Sequence, residues 1–596
     1  MAEIVGIDLG TTKSAIAVWH DGTPHIIPDL EGRTITPSMV SLNASDGQWL
    51  VGYLARAMAI ENPAAAIYSI KRLIGRRFKE DVVQKNLEKL HILYEVGESR
   101  RRQGGIEVTL GDKHLTPQEV SAKILQELKT NAESFLGHEI NQAVITVPAY
   151  FHDSQRQATR DAGSIAGLDV KRVLNEPTAA CLAFGFRKLN EARKTVAVYD
   201  LGGGTFDISI LEVGQGPFWV RSTNGDTYLG GDDLNWLIVD WMLDEIGGEE
   251  KKRLREDVHA LALLRAEAEK AKIDLSSNEI TRVQVPGLLS PTSGMHDLDL
   301  KLTRSKLEAI AVPFITKTLE PCARALHDAR LRTSDIQEVL LVGGQTRMPA
   351  IRKAVRDFFG VEPNISVNPE EVVALGAAVQ AAILAGEATG LKLADVVPLS
   401  LGVDTKRVMD VLIPRNTPVP FEKTKIYSTV ADNQESVEIQ IYQGERPMAV
   451  DNIKLGSFYL RGIGPALVGE PEIEVTFCVD QDGILHVSGK DLRTDNVKEI
   501  TITDSVRLSK EEIESMIREA QEHEAEYMEQ RRQAEAQSQV ERLTERLKTL
   551  LAEKKDTLAP EAVTAIQDAL AAPSTDDWAA RLSTLQDLWR QALVQI

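Results

Sequence analysis

Cysteine is scarce in this chain of 596 residues: there are three, Cys181, Cys322 and Cys478. They are far apart and form no CxxC pair, which argues against a disulfide framework or a zinc site. Such usage fits a reducing compartment. Long apolar runs are missing as well, and none could span a bilayer. The stretch from Met1 to Gly10 runs straight into a strand pattern, without the basic-then-apolar layout of a signal peptide. These readings point to the cytoplasm. Basic residues are in deficit: 68 Lys and Arg against 88 Asp and Glu leave a formal net charge of -20. That argues against binding to nucleic acid or an anionic membrane and favours solubility. Hydrophobic residues at 43% and charged residues at 26% are ordinary for globular proteins, and the length calls for several cores.

The pattern that is present changes character twice. Residues 1–386 alternate strands and helices, with strand-like runs at Ile4–Ile7, Ala143–Val147, Val196–Tyr199 and Val339–Val342. Thr116-Pro117-Gln118-Glu119 has capping-box spacing with proline at the first helical position. A short mixed stretch, 387–398, reads as a linker. From 399 to 506 the pattern is almost all strand: Val437–Ile441 alternates with period two, and Asp482-Gly483 reads as a hairpin turn. From 507 to 596 it is helical. Ser509-Lys510-Glu511-Glu512 opens a charged helix as a second capping box, and amphipathic stretches follow near 560–571 and 576–594. A small bundle is the natural reading.

Three loops carry the chemistry. In Ile7–Ser14 an aspartate, Asp8, precedes Gly10, Thr11, Thr12 and Lys13 between two apolar runs. Glycine and hydroxyl residues in a tight hairpin aim N–H and O–H groups at phosphate oxygens. The layout recurs as Asp200-Leu201-Gly202-Gly203-Gly204-Thr205-Phe206-Asp207. The repeat implies two similar lobes, each supplying one phosphate hairpin and one carboxylate suited to hydrated Mg²⁺. The third loop, Gly343-Gly344-Gln345-Thr346-Arg347, ends a strand just before a helix, a place for a ribose or base. Neither the Walker nor the Rossmann glycine pattern is present in these loops.

Together the loops resemble the ATPase lobes of the actin, hexokinase and heat-shock superfamily. The specific similarity is to the seventy-kilodalton heat-shock chaperones of the DnaK type. It rests on Ile7–Ser14, Ile70–Arg76, Val144–Gln157, Asn175–Ala180, Asp200–Ser209, Asn224–Gly231 and Leu341–Pro349. It continues through Pro398–Gly402, Asp432–Gln434, Gln443–Arg446 and Asp482–Val487. The resemblance implies a multidomain fold: actin-like α/β ATPase lobes, a β-sandwich that binds peptides, and an α-helical lid. It implies an ATPase that binds and releases extended apolar segments of unfolded proteins. ATP or ADP, Mg²⁺ and K⁺ are the implied cofactors. A J-domain co-chaperone and a nucleotide-exchange factor of the GrpE type are the implied partners.

The resemblance also assigns residues. Asp8 and Asp200 hold hydrated Mg²⁺, and Asp207 helps with potassium. Lys71 places the attacking water, with Glu176 and Thr205 completing its surroundings. Gly10, Thr11, Thr12, Lys13, Gly202, Gly203, Gly204, Gly230 and Gly231 belong to the phosphate side. Glu269, Lys272, Ser276, Gly343, Gly344, Gln345, Arg347 and Glu370 belong to the adenosine side. Pro148, Arg156, Arg172, Asn175 and Asp395 relay between domains or receive the J-domain partner. Val403, Tyr427, Val430, Val437 and Ile439 are the pocket set for peptide.

Four departures stand out. Lys13 puts a cation beside the phosphate hairpin, and Glu370 replaces the usual aspartate. The linker Leu391–Asp395 is diluted by Lys392 and Ala394, which predicts weaker docking. Val468 replaces an arginine that latches the lid, for which Glu541, Glu545 and Glu553 are partner candidates. Two other readings stay open: a metabolite kinase on the same lobes, and a nucleotide-sensing paralogue with a dedicated partner.

Overall fold

The computed structural model describes residues 3–43, 47–89, 92–102, 104–186, 191–214, 217–289, 297–389, 392–494, 496–501, 510–522, 536, 539–540, 543–544, 546–552, 554, 558–571 and 577–595. Two compact units result: Met1–Leu42 with Val51–Glu514, and Asn43–Leu50 with Ser515–Ile596.

In the first unit the apolar runs become central strands. One sheet has the order Asp169–Asn175, Gln142–Val147, Ile4–Asp8, Lys13–His20, Thr23–Ile26. A second has the order Glu338–Val342, Lys194–Leu201, Phe206–Val213, Phe218–Asp226, Leu393–Ala394. The two share one plan. In each, a strand with an aspartate at or next to its end runs parallel to one neighbour and turns back antiparallel into the next. Both faces are covered, so the strands read as continuous apolar runs rather than as alternation. Val5, Ile7, Val198 and Tyr199 are fully buried accordingly. The apolar helix Val372–Ala385 lies against Ile4–Asp8 and against the helix Glu176–Gly185. The capping box at Thr116 forms as predicted: Glu119 N donates to Thr116 Oγ1 at 3.2 Å, and Thr116 N donates to Glu119 Oε2 at 2.6 Å.

Further along the same unit stand two four-stranded antiparallel sheets. One is Val408–Ile413, Leu401–Thr405, Ser436–Gln443, Ile453–Arg461; the other is Phe421–Tyr427, Ile473–Val479, Leu485–Asp491, Asn496–Thr501. Alternate residues from both fill one core, among them Leu401, Ile441, Phe458, Val475, Phe477 and Val487. The Asp482-Gly483 turn joins Ile473–Val479 to Leu485–Asp491, with Gly483 at φ 76° as such a turn needs.

The linker is docked on the second sheet. Leu393 and Ala394 pair in parallel with Phe218 and Trp219, and Phe218 N donates to the Lys392 carbonyl at 2.7 Å. Backbone pairing is joined by the Leu393 side chain, which packs against the core around Phe218 and Val220, while Lys392 is exposed. The dilution of the apolar run therefore does not prevent docking. Leu391 lies outside the described residues.

The second unit packs Pro560–Ala571 and Trp578–Gln595 over a small core that includes Val540, Leu547, Ile566 and Leu585. Ser509, Glu541, Glu545 and Glu553 lie outside the described residues. Among the described residues no helix is long and apolar enough to cross a membrane.

Candidate functional site

The strands Ile4–Asp8 and Lys194–Leu201 deliver their turns to one cleft of about 420 Å³. Its wall includes Asp8, Gly10, Thr11, Thr12, Lys13, Glu176, Asp200, Gly202, Gly203 and Thr205 from the phosphate set. Gly231, Glu269, Lys272, Ser276, Gly343, Gly344, Gln345, Arg347 and Glu370 line the remainder. Residues separated by hundreds of positions thus share one opening. A larger hollow of about 520 Å³, lined by Glu3, Trp19, His20 and His138, holds none of these groups. Volume is not what marks the site; converging polar chemistry is.

The hairpins fit each other closely. A Cβ built on Gly203 would lie 2.1 Å from Thr12 Oγ1, and one on Gly204 would lie 2.3 Å from Thr11 Cγ2. Glycine is required there because the facing threonines occupy the space. Gly230 sits behind Gly204 in the same tight stack. Arg72 braces the turn from below: its Nε donates to the Gly204 carbonyl at 3.1 Å, and its NH2 pairs with Asp233 Oδ2 at 2.5 Å.

Lys71 lies under the first hairpin, almost fully buried. It pairs with Glu176 Oε1 at 2.5 Å and donates to the Leu9 carbonyl. Glu176 opens its helix with proline next, so the carboxylate is held at the helix N-terminus. Three more carboxylates are buried nearby. Burial, reinforced by Glu176, pushes Asp8 up to about 7, against Lys71 and a 3.2 Å hydrogen bond from Thr146. Burial, with Glu176, Asp207 and Asp8 adding to it, pushes Asp200 well above the usual carboxylate range. Asp207 rises to about 8, first from burial and then from Glu176, although Tyr150 N donates to it at 3.0 Å. Four carboxylates around one lysine make a set that takes up cations. Among the described residues no three His, Cys, Asp or Glu side chains converge closely enough to ligate a metal ion directly. The donor set therefore fits a hydrated cation whose shell water or phosphate completes.

On the opposite wall, burial lowers Lys272 to about 8, and its Nζ donates to the Gly231 carbonyl at 2.9 Å. Glu269 pairs with Arg56 at 3.1 Å, and Ser276 Oγ donates to the Lys272 carbonyl at 3.4 Å. Gly343 takes φ 81° hard against the Leu201 carbonyl, which seats its loop beside the second hairpin. Asp232, Asn235, Ser277 and Arg352 also line the cleft. Sequence reading missed them; Asp232, directly after the Gly230-Gly231 pair, carried the one signal that pointed there.

A family model described as Hsp70 protein matches residues 4–591. The chain belongs to the Hsp70 family. Hsp70 proteins are ATP-dependent chaperones of unfolded substrates that bind ATP or ADP with Mg²⁺ and work with J-domain and nucleotide-exchange co-chaperones.

In this Hsp70 protein a second polar cluster joins the lobes to the strand-rich part. Arg156, fully buried beyond Pro148, donates to Asn175 Oδ1 at 2.6 Å and to the Ala149 and Phe151 carbonyls at 3.1 and 3.2 Å. Asp482, at the hairpin turn, pairs with Arg160 and lies 3.9 Å from Arg172. Asp153 Oδ1 accepts from Leu485 N at 2.8 Å, and Asp153 N donates to Gln443 Oε1 at 3.1 Å. Asp328 takes Arg415 at 2.8 Å, and Asp395 accepts from Thr178 at 3.1 Å. Of these, Arg156, Arg172, Asn175 and Asp395 were given a coupling role from the sequence; Asp482 was read there only as a hairpin turn, and Asp153, Asp328 and Arg415 were given no role.

The five peptide candidates part company. Val403 and Ile439 are buried in the shared core of the two sheets, while Tyr427 and Val437 pack partly against it. Tyr427 donates to Asp410 Oδ2 at 2.8 Å. Val430 stands exposed, as does Val468, whose N–H donates to Asp432 Oδ1 at 2.8 Å.

Proposed function

We propose that this protein hydrolyses ATP in the cleft and uses the reaction to control its grip on extended apolar segments of unfolded polypeptides. The observation that carries the reading is the set of four buried carboxylates and one lysine beneath two facing hairpins. Asp8 and Asp200 would hold hydrated Mg²⁺, and Asp207 would help hold potassium. When bound, these cations neutralise phosphate charge. Thr11, Thr12, Gly202, Gly203 and Gly204 offer hydroxyl and N–H donors to the phosphates. Lys71, fixed between Glu176 and the Leu9 carbonyl, orients the attacking water and offsets charge developing on the γ-phosphate. Thr205 completes that end. Glu269, Lys272, Ser276 and Gln345 take the ribose and base, with Arg347 stacking on the adenine.

In this reading residues 1–386 form the ATPase, 387–398 the linker, 399–506 the peptide-binding β-sandwich and 507–596 the lid. The ion pairs Asp482–Arg160 and Asp328–Arg415, and the pairing of the linker strand, are the contacts whose making and breaking would carry the coupling. Peptide binds by backbone hydrogen bonds with an apolar pocket from the Val403, Tyr427, Val430, Val437 and Ile439 set. A J-domain protein at Arg172, Asn175 and Asp395 and a GrpE-type exchange factor are the partners. Cys181 and Cys322 are buried thiols outside any disulfide, which suits the cytoplasm.

ATP turnover measured with and without an unfolded peptide and a J-domain protein tests the reading. Both additions should raise turnover, and peptide should bind more weakly with ATP than with ADP, as linkage requires. Identical peptide affinity with the two nucleotides would refute the coupling.

A further inference from the structure

Two of the departures noted in the sequence meet in space. Lys13 Nζ donates to Glu370 Oε1 at 2.6 Å, although 357 positions separate them. The other oxygen, Glu370 Oε2, lies 3.3 Å from Arg347 NH2. Arg347 NH2 is steadied by Asn368 Oδ1 at 2.8 Å, and the same oxygen accepts from Glu370 N at 3.3 Å. One carboxylate thus joins two cations of different origin. Lys13 begins the strand Lys13–His20 in the sheet of the first hairpin, and Arg347 ends the turn after Glu338–Val342 in the sheet of the second. All three line the mouth of the cleft.

The length of the acid matters. An aspartate at position 370 would draw the carboxylate back by roughly one C–C bond, about 1.5 Å, and leave Lys13 beyond hydrogen-bond distance. The longer acid and the extra cation therefore make sense as a pair, and neither does alone. The cation would have an alternative partner in the phosphates of a nucleotide bound at the same hairpin. The carboxylate is what turns it toward the other lobe.

We propose that Lys13, Glu370 and Arg347 form an ionic bridge across the mouth of the cleft that slows nucleotide release, an inference that rests on reading the cleft as a nucleotide site. Release requires the two sheets to part, and parting them separates Lys13 from the Arg347 loop that Glu370 holds. The side chains of Lys13 and Glu370 are 38% and 20% exposed, so water and salt weaken the pair without abolishing it. The expected acceleration on breaking it is about 3–10-fold. These are positioning residues, and the bridge acts on release rather than on bond cleavage.

The test is stopped-flow release of a fluorescent ADP analogue from the full chain, chased with ATP. The variants are Lys13→Asn, Glu370→Gln, the double variant and Lys13→Arg. Each neutral single variant should release faster, and the double no faster than the faster single. Lys13→Arg should restore most of the wild-type rate. Raising salt from about 0.05 to 0.5 M should speed wild-type release and leave the double variant nearly unchanged. Single effects that multiply in the double variant would mean that each residue acts on the nucleotide separately, and would overturn the bridge. Wild-type rates in both singles would overturn it as well. A wild-type chain that takes up no analogue would overturn the nucleotide reading and the bridge with it.

Discussion

The first hairpin runs from Asp8 through Gly10, Thr11 and Thr12 into Lys13–His20; the second runs from Asp200 through Gly202, Gly203 and Gly204 into Phe206–Val213. Their backbone registers coincide. Asp8 pairs with Ala15 and Asp200 pairs with Asp207, so the same loop length separates the paired positions in both. Their side chains do the opposite. The first fills its turn with threonine hydroxyls, and the second empties its own so that those threonines fit. Where the first has Ala15, the second adds a carboxylate, Asp207. The repeat therefore lies in the backbone, and the chemistry lies in how the two copies differ. A cleft made of two identical hairpins would either collide or leave a gap.

The largest break in this pairing is expected from Lys71, which touches the first hairpin through Leu9. Replacing it with alanine should lower ATP hydrolysis by about 100-fold or more while ADP affinity changes by only several-fold. Single-turnover rates beside equilibrium binding will separate the two; a turnover close to wild type would remove Lys71 from the mechanism. Next is Gly203→Ala, where the new methyl collides with Thr12. Nucleotide affinity should drop by roughly 10–100-fold, because the facing turns must move apart. Gly202→Ala, with its nearest outside atom at 3.8 Å, should lose about tenfold less. Equal losses measured by titration calorimetry would show that the interlock does not set affinity.

The smallest effect concerns pH and separates the two aspartates. Asp8 and Asp207 ionise near 7 and 8 in the fold, and near 4 when unfolded. Raised acids contribute stability that is present below about pH 4 and is lost as pH climbs through their folded values. Without nucleotide or divalent metal, Tm should therefore fall between about pH 5 and pH 8. Asp8→Asn should flatten the lower part of that fall and Asp207→Asn the upper part, while Mg²⁺ should oppose it by favouring the ionised forms. A Tm that rises over this range would contradict the burial argument.

Both hairpins were legible in the sequence because each is contiguous and each ends a run of apolar residues that only a covered strand needs. Lys71 and Glu176 were legible through the motifs around them. The pairs Lys13–Glu370 and Arg160–Asp482 were not, since 357 and 322 positions separate their members and each charge alone reads as a solvated surface group. The peptide set was half legible. Alternation in Ser436–Gln443 shows that Val437, Ile439 and Ile441 share a side, but not whether that side faces a core or a groove. The linker was legible as an apolar run diluted by Lys392 and Ala394, but its parallel pairing with Phe218–Asp226 was not, because peptide groups leave no mark in the sequence.

That attachment has a further effect on the strand Phe218–Asp226. Without Leu393–Ala394, its outer N–H and C=O groups would form a bare sheet edge, open to any extended chain. In an Hsp70 protein, a family that works on unfolded substrates, such an edge would be an unselective binding line. With the linker in place, part of that line is closed by the molecule's own backbone. The same short strand that ties two parts together also keeps that stretch of the sheet from pairing with another chain.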